Sequence, residues 1–390
     1  MTFGPFQFFA RFTELRSTDR SCEPLPRLLL LALWFLVGLK LALVSHEEIL
    51  ACFLPHDDLW HVKAAERLVW TGRYEWDTLI HYPLFSLFIA AVKFVGLPLR
   101  IALDLCLCAA ALLCSRAVWQ AGYSPMTAAV VGMAAMFHPA SFELPNRIGA
   151  EILLAPVLLG AVSATIIWWN RRSQSNGWWA AMHAACWWAA AWNLRKESIL
   201  LAATLSVFAM MIVLQHRREN WRAWGRHLFW GVVLPILFAS GISTAVKATN
   251  SVRWGLYSKS ILEAPGFVAA YRALQSIPPV ETVPYVPVPI SVREQAYVAS
   301  PAFAEMREYL DVSNPVGWSG FSRDFLSGLE LRGLDEREIA AGWFYWALHD
   351  AAVAVGRVKT PVEEDSFFRT IANEIDAAQK DGRLGRRSSL

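Results

Sequence analysis

Apolar residues along this chain come in long unbroken runs, not in the short alternations of a half-buried strand. The runs cover roughly 27–44, 99–119, 125–139, 150–169, 177–193, 198–215 and 228–246. A bilayer core roughly 30 Å thick takes about 20 mostly apolar helical residues to cross. The pattern therefore predicts seven spanning helices. An eighth apolar stretch, 83–95, is shorter and contains Lys93; it reads as an amphipathic helix lying in the outer membrane interface.

Beyond residue 246 the pattern changes. Helical periodicity covers 265–274, 335–355 and 361–380. Asp335 followed by Glu338 gives the second of these a start signal, and Thr360-Pro361-Val362-Glu363 gives the third a capping box with proline at its first helical position. Between the first and second, the proline ladder from Pro278 to Pro289 has to be extended, because proline lacks the N–H a helix needs.

Composition agrees with a membrane protein. The chain is 55% apolar and 18% charged, with a mean hydropathy of +0.33, against about 45–50% and about 25% in an ordinary soluble domain. Disorder, a collagen-like repeat and a disulfide framework are excluded. A net charge of +3 gives no reason to expect nucleic acid as a partner. Cys106, Cys108, Cys114 and Cys186 lie inside apolar runs and read as small hydrophobes.

Charge divides the chain. Residues 1–246 hold 20 of the 36 Lys and Arg and 15 of the 33 Asp and Glu. The last 144 residues carry 34 charged side chains, the density of a water-exposed domain. The expected organisation is a membrane domain over 1–246, with an outer loop 45–98, and a mainly helical extracytoplasmic domain over 247–390 that caps the bundle. Arg11, Arg16, Arg20 and Arg27 put the N-terminus in the cytoplasm. If 83–95 does not cross, Arg116, Arg171, Arg172 and the cluster Arg217 to Arg226 are cytoplasmic too. The acidic residues then gather at the outer face of a cytoplasmic, multi-pass membrane, with membrane lipids around the bundle.

Several residues at that face are candidates for chemistry. Asp57 and Asp58 follow Pro55 at the start of a predicted helix running to Trp70. Carboxylates there serve as helix caps, or as a general base held at a surface of low dielectric. Trp192-Asn193-Leu194-Arg195-Lys196-Glu197 puts two cations in an outer turn, against the positive-inside trend. They are either paired with Glu197 or grip a lipid phosphate, for which arginine offers a planar fork and lysine a point charge. Arg147, between Glu143 and Glu151, is a further phosphate candidate, unless those carboxylates simply pair with it. Arg100 and Asp104, four apart on one helix face, read as a buried pair. His56, His61 and His81 beside the acidic pair do not have zinc spacing; a divalent cation on oxygen ligands stays open as the only cofactor option.

The order of these pieces resembles the GT-C membrane glycosyltransferases, a superfamily that includes the protein O-mannosyltransferases and the lipid A aminoarabinose transferases. The resemblance lies in a first helix, an outer loop opening with Asp57-Asp58, and an alanine-containing helix ending in Gly72-Arg73-Tyr74. It continues through Thr78-Leu79-Ile80-His81-Tyr82-Pro83 to Gly96-Leu97-Pro98-Leu99-Arg100 at the entry to the next run. It covers roughly residues 25–200. The chain has fewer predicted spans than most members, and its C-terminal domain does not resemble theirs. The resemblance implies an all-α polytopic bundle that moves a sugar, with inversion, from a polyprenyl-phosphate donor to a glycan, lipid or protein acceptor. It makes Asp57 or Asp58 the base, with His56, His81, Glu197 and Arg100 supporting. The alternative is a non-enzymatic membrane protein: a transporter, for which Lys40 is the main candidate intramembrane charge, or an assembly subunit.

Overall fold

The computed structural model describes residues 23–49, 55–67, 74–75, 78–195, 200–216, 221–313, 317–331 and 333–387, without the side chains of 55–58, 200, 215, 216, 221 and 223. Helix makes up 74% of the structure, and no strand occurs among the described residues. The chain forms two compact units. One comprises 1–69 with 81–245, the other 70–80 with 246–390.

The first unit begins with α1 (Arg27–Val44), α2 (Pro55–Glu66), α3 (Pro83–Val95), α4 (Leu99–Gln120) and α5 (Pro125–Met136). After a short turn come α6 (Ala150–Arg171), α7 (Gly177–Leu194), α8 (Leu200–His216) and α9 (Trp221–Leu228). A π-helical turn at Phe229–Val233 leads from α9 into α10 (Leu234–Trp254). Among the described residues, four helices are long and apolar enough to cross a membrane: Arg27–Val44, Leu99–Gln120, Ala150–Arg171 and Trp224–Trp254. Together they suggest a membrane protein. The remaining predicted spans form shorter or more polar helices. The 12 residues of α5 rise only about 18 Å at 1.5 Å per residue, and α7 carries His183 and Asn193 among its tryptophans.

Close packing joins these helices. Gly132 of α5 sits so near α4 that a Cβ there would come 2.1 Å from Ser115 Oγ, and 3.1 Å from Leu33 of α1. One apolar cluster gathers Ala65 of α2, Phe85 and Ile89 of α3, Leu103 of α4, Ile148, Ala150 and Leu153 at the start of α6, and Leu194 at the end of α7. That cluster positions the residues considered below.

The second unit is built from α11 (Pro265–Gln275), α12 (Ile290–Ala299), α13 (Trp318–Gly328), α14 (Trp343–Ala354) and α15 (Pro361–Lys380). Phe267, Phe303, Phe344 and Phe368 are fully buried in it. The capping box at Thr360 is formed: its side chain accepts from Glu363 N at 3.2 Å. The proline ladder is free of helix, but it is not extended throughout: a turn in which Val286 N donates to Val283 O breaks it, with Tyr285 at φ 63°. The helix expected from Asp335 begins only at Trp343. Asp335 instead accepts from Arg337, Glu338 turns away to accept from Ile290 N, and Ala341 takes a left-handed φ of 48°. The segment 74–80 belongs to this unit through Tyr74, whose hydroxyl lies 3.5 Å from Glu364, and through Leu79 O, which accepts from Ile261 N at 2.8 Å. Glu364 also meets His349 Nδ1 at 2.6 Å, both fully buried.

Candidate functional site

The site lies in the first unit, where α2, α3, the turn 138–149 and the end of α7 share one apolar cluster. Helix α2 starts at Pro55, which accounts for where Asp57 and Asp58 fall: in its first turn, where a helix favours acidic side chains. The side chains of His56, Asp57 and Asp58 lie outside the described residues, as do Lys196 and Glu197.

His61, one turn beyond Asp57, is buried at 5% exposure. Its ring stacks on His81 with centroids 4.3 Å apart and takes the Phe85 ring edge-on at 4.9 Å. Its Nδ1 lies 3.5 Å from Ser86 Oγ. Burial holds this imidazole down to about 3, and the charge of Arg195 adds to the effect. His61 is therefore neutral at physiological pH. The charge effect also places Arg195 within electrostatic reach of the helix that opens with the acidic pair.

Arg195 is the first residue past α7, in extended backbone. Its Nη1 donates to Glu151 Oε2 at 2.8 Å. Arg147, at the end of the turn and also extended, donates through Nη2 to the other oxygen, Oε1. Glu151 thus joins two phosphate candidates from separate turns. All three are partly exposed, at 27%, 35% and 34% for Arg147, Glu151 and Arg195.

Arg100 belongs to a different cluster. Its Nε lies 2.8 Å from Asp104 Oδ2, and its guanidinium donates to Phe142 O at 3.2 Å and Asn146 Oδ1 at 2.5 Å. Lys40 Nζ approaches Asp104 to 3.5 Å, donates to both oxygens of Ser141 at 3.0 Å, and lies 3.3 Å from the centre of the Phe142 ring. These three charged side chains are 0–3% exposed. They fasten the turn 141–146, and so fix where Arg147 emerges.

Sequence spacing points to the Arg100–Asp104 pair, four residues apart on one helix face, and offers Glu143 and Glu151 alike as partners for Arg147. It gives no sign that Glu151 also takes Arg195, or that Lys40 joins Asp104. His61 was weighed only as a metal ligand. A hint of its place is the four-residue step from Asp57, which sets both on one face of α2. Among the described residues no group of three or more His, Cys, Asp or Glu gathers to hold a metal ion. No family model matches this chain, and no curated protein or solved structure matches it either.

Proposed function

We propose that this chain is a membrane glycosyltransferase of the GT-C kind, acting on a polyprenyl-phosphate-linked sugar. The supporting observation is that Arg147 and Arg195, from two separate turns, meet on Glu151, each next in sequence to a residue (Ile148, Leu194) of the apolar cluster shared with the helix that opens with Asp57 and Asp58. In the reaction, Asp57 or Asp58 takes the proton from an acceptor hydroxyl or amine. The acceptor atom attacks the anomeric carbon from the face opposite the phosphate, and the bond from that carbon to the phosphate oxygen breaks. The electron pair leaves with the polyprenyl phosphate. Negative charge grows on the phosphate oxygens as it departs, so fixed cations there stabilise the transition state more than the ground state. Arg195, Lys196 and Arg147 supply them. His61, on α2, stacks on His81 and lies beside Ser86 of α3, which ties α2 to the start of α3.

In this reading the bundle crosses the cytoplasmic membrane seven times with its N-terminus inside, α3 lies in the outer interface, and the second unit is extracytoplasmic. In a cysteine-free background, an impermeant thiol reagent labels Gly72→Cys and Val298→Cys, the latter an exposed position of the second unit, but not Ser173→Cys. Labelling at 173 from outside overturns that topology.

Turnover tests the chemistry. Asp57→Asn and Asp58→Asn keep shape and remove charge, and a positioned base contributes about 10²–10⁴-fold. With a polyprenyl-phosphate sugar and full-length protein in vesicles, one of the two variants loses that much. Arg195→Ala weakens donor use, and Arg195→Lys restores it only partly because the fork is lost. Near-normal turnover in both Asn variants returns the acidic pair to the role of a helix cap.

A further inference from the structure

The two guanidinium groups that face each other across Glu151 are matched to more than a carboxylate. Each takes one of its oxygens, so that a single carboxylate bridges guanidinium groups from two separate turns. Arg147 Nε is also buried without a hydrogen-bond partner among the described residues. A phosphate brings more acceptor oxygens and up to one more negative charge, and it suits the planar forks of both arginines.

The carboxylate is held there lightly. Exposed ion pairs contribute little, because water competes for both partners, and all three side chains here are about a third exposed. Its position depends on the glycine two residues before it. A Cβ at Gly149 would lie 2.6 Å from Glu151 Oε1 and 2.8 Å from its carboxyl carbon. The carboxylate therefore folds back over Gly149 because that residue has no side chain. Gly149 itself has an extended backbone, φ −160°, that any residue adopts. The clash falls on the far end of a flexible side chain, which can swing away.

We infer that Glu151 is an internal stand-in for a phosphate: its carboxylate occupies the seat between Arg147 and Arg195, and a phosphate-bearing lipid must displace it to bind. The lipid is the donor of the proposed function, and the inference rests on that reading. Glu151 then acts as a built-in competitor that keeps the seat closed when no donor is present. It also keeps two like charges apart from each other in the empty state.

Two variants open the seat in different ways. Glu151→Gln removes the competing charge. Gly149→Ala keeps every charge and pushes the carboxylate off its perch. The test measures binding of polyprenyl phosphate to the full-length protein in vesicles, with inorganic phosphate as a parallel probe. Both variants should bind polyprenyl phosphate about two- to fivefold more tightly, the factor expected from losing an exposed competing pair. Arg147→Ala and Arg195→Ala should weaken it. Unchanged or weaker binding in Gly149→Ala overturns the inference, since only the carboxylate's position is altered there. Weaker binding in Glu151→Gln does the same, and makes Glu151 a scaffold for the arginines. A gain seen with inorganic phosphate but not with the lipid assigns the seat to a free anion and overturns the lipid assignment. If Arg147→Ala and Arg195→Ala bind like the unaltered protein, the donor reading itself falls. If they lose binding while the two opening variants do not change, only the stand-in falls.

Discussion

Two charge clusters sit a few residues apart in the first unit, and they are built to opposite specifications. Lys40, Arg100 and Asp104 are almost wholly buried and bond to backbone carbonyls as well as to each other. Arg147, Glu151 and Arg195 are partly exposed and meet through their side-chain tips. A buried charge has lost its water and depends wholly on its partners. An exposed one can trade a partner for water at little cost. The first arrangement suits a latch that fixes the turn 141–146, and the second suits a seat that changes occupants. The contrast separates what shapes the site from what works in it.

The largest effect expected from this contrast is at Asp104. Asp104→Asn keeps the shape but leaves Lys40 and Arg100 as uncompensated buried cations. Breaking a buried pair in this way costs about 3–5 kcal/mol. The thermal midpoint of the purified protein in detergent should fall steeply, and much of the variant should fail to extract as folded protein. An unchanged midpoint would mean that water reaches the cluster and that the latch is no tighter than the seat.

Next comes the close helix packing elsewhere in the same unit. Gly132 lets α5 approach α4 beside Ser115. Gly132→Val forces those helices apart, an overpacking that typically costs about 1–3 kcal/mol. Gly149→Ala, where the clashing atom is a movable carboxylate, should leave the midpoint close to that of the unaltered protein. Equal losses at both glycines would erase the distinction between tight and loose regions.

The helical fold was legible because apolar run length and capping residues are local properties. Pro361 follows Thr360 in sequence, and the cap forms between neighbours. The Arg100–Asp104 pair is legible for the same reason. Lys40 is not, since its partners Asp104 and Ser141 lie far along the chain and only packing brings them together. Run length also overstates helix length. The apolar stretch 125–139 becomes a helix of 12 residues, because Pro139 and the Ser141 contacts turn the chain. Asp335 looked like a helix start, but its carboxylate is taken by Arg337 and the helix waits for Trp343. At the candidate site, the sequence offers Glu143 and Glu151 equally as partners of Arg147, and the fold selects Glu151. Its second partner, Arg195, comes from another helix end and has no local signal.

A pH dependence follows from His61, which is on the buried side of the contrast. Its folded value of about 3 lies below the usual 6.5, so below 6.5 the unfolded chain binds a proton that the folded one refuses. The stability this group contributes is fully present above pH 6.5 and is lost as pH falls toward 3. The slope from one such group is at most about 1.4 kcal/mol per pH unit. Unfolding midpoints measured between pH 7 and pH 4.5 should fall, and His61→Gln, which cannot be protonated, should flatten that part of the profile. An unaltered slope in the variant assigns the acid sensitivity elsewhere.

The smallest effect belongs to the exposed cluster, and its smallness is the point. Glu151→Gln removes one charge from a pair of ion pairs about a third exposed, and such pairs contribute about 0–1 kcal/mol each. Salt screens them further, because their field reaches solvent within a Debye length of about 8 Å at physiological ionic strength. The thermal midpoint of Glu151→Gln should therefore stay near that of the unaltered protein at 0.15 M salt, and any difference should shrink in 1 M salt. A large, salt-independent loss would mean that Glu151 is as deeply committed to the fold as Asp104. The seat would then be a second latch, and no incoming phosphate could displace its carboxylate at an acceptable cost in stability.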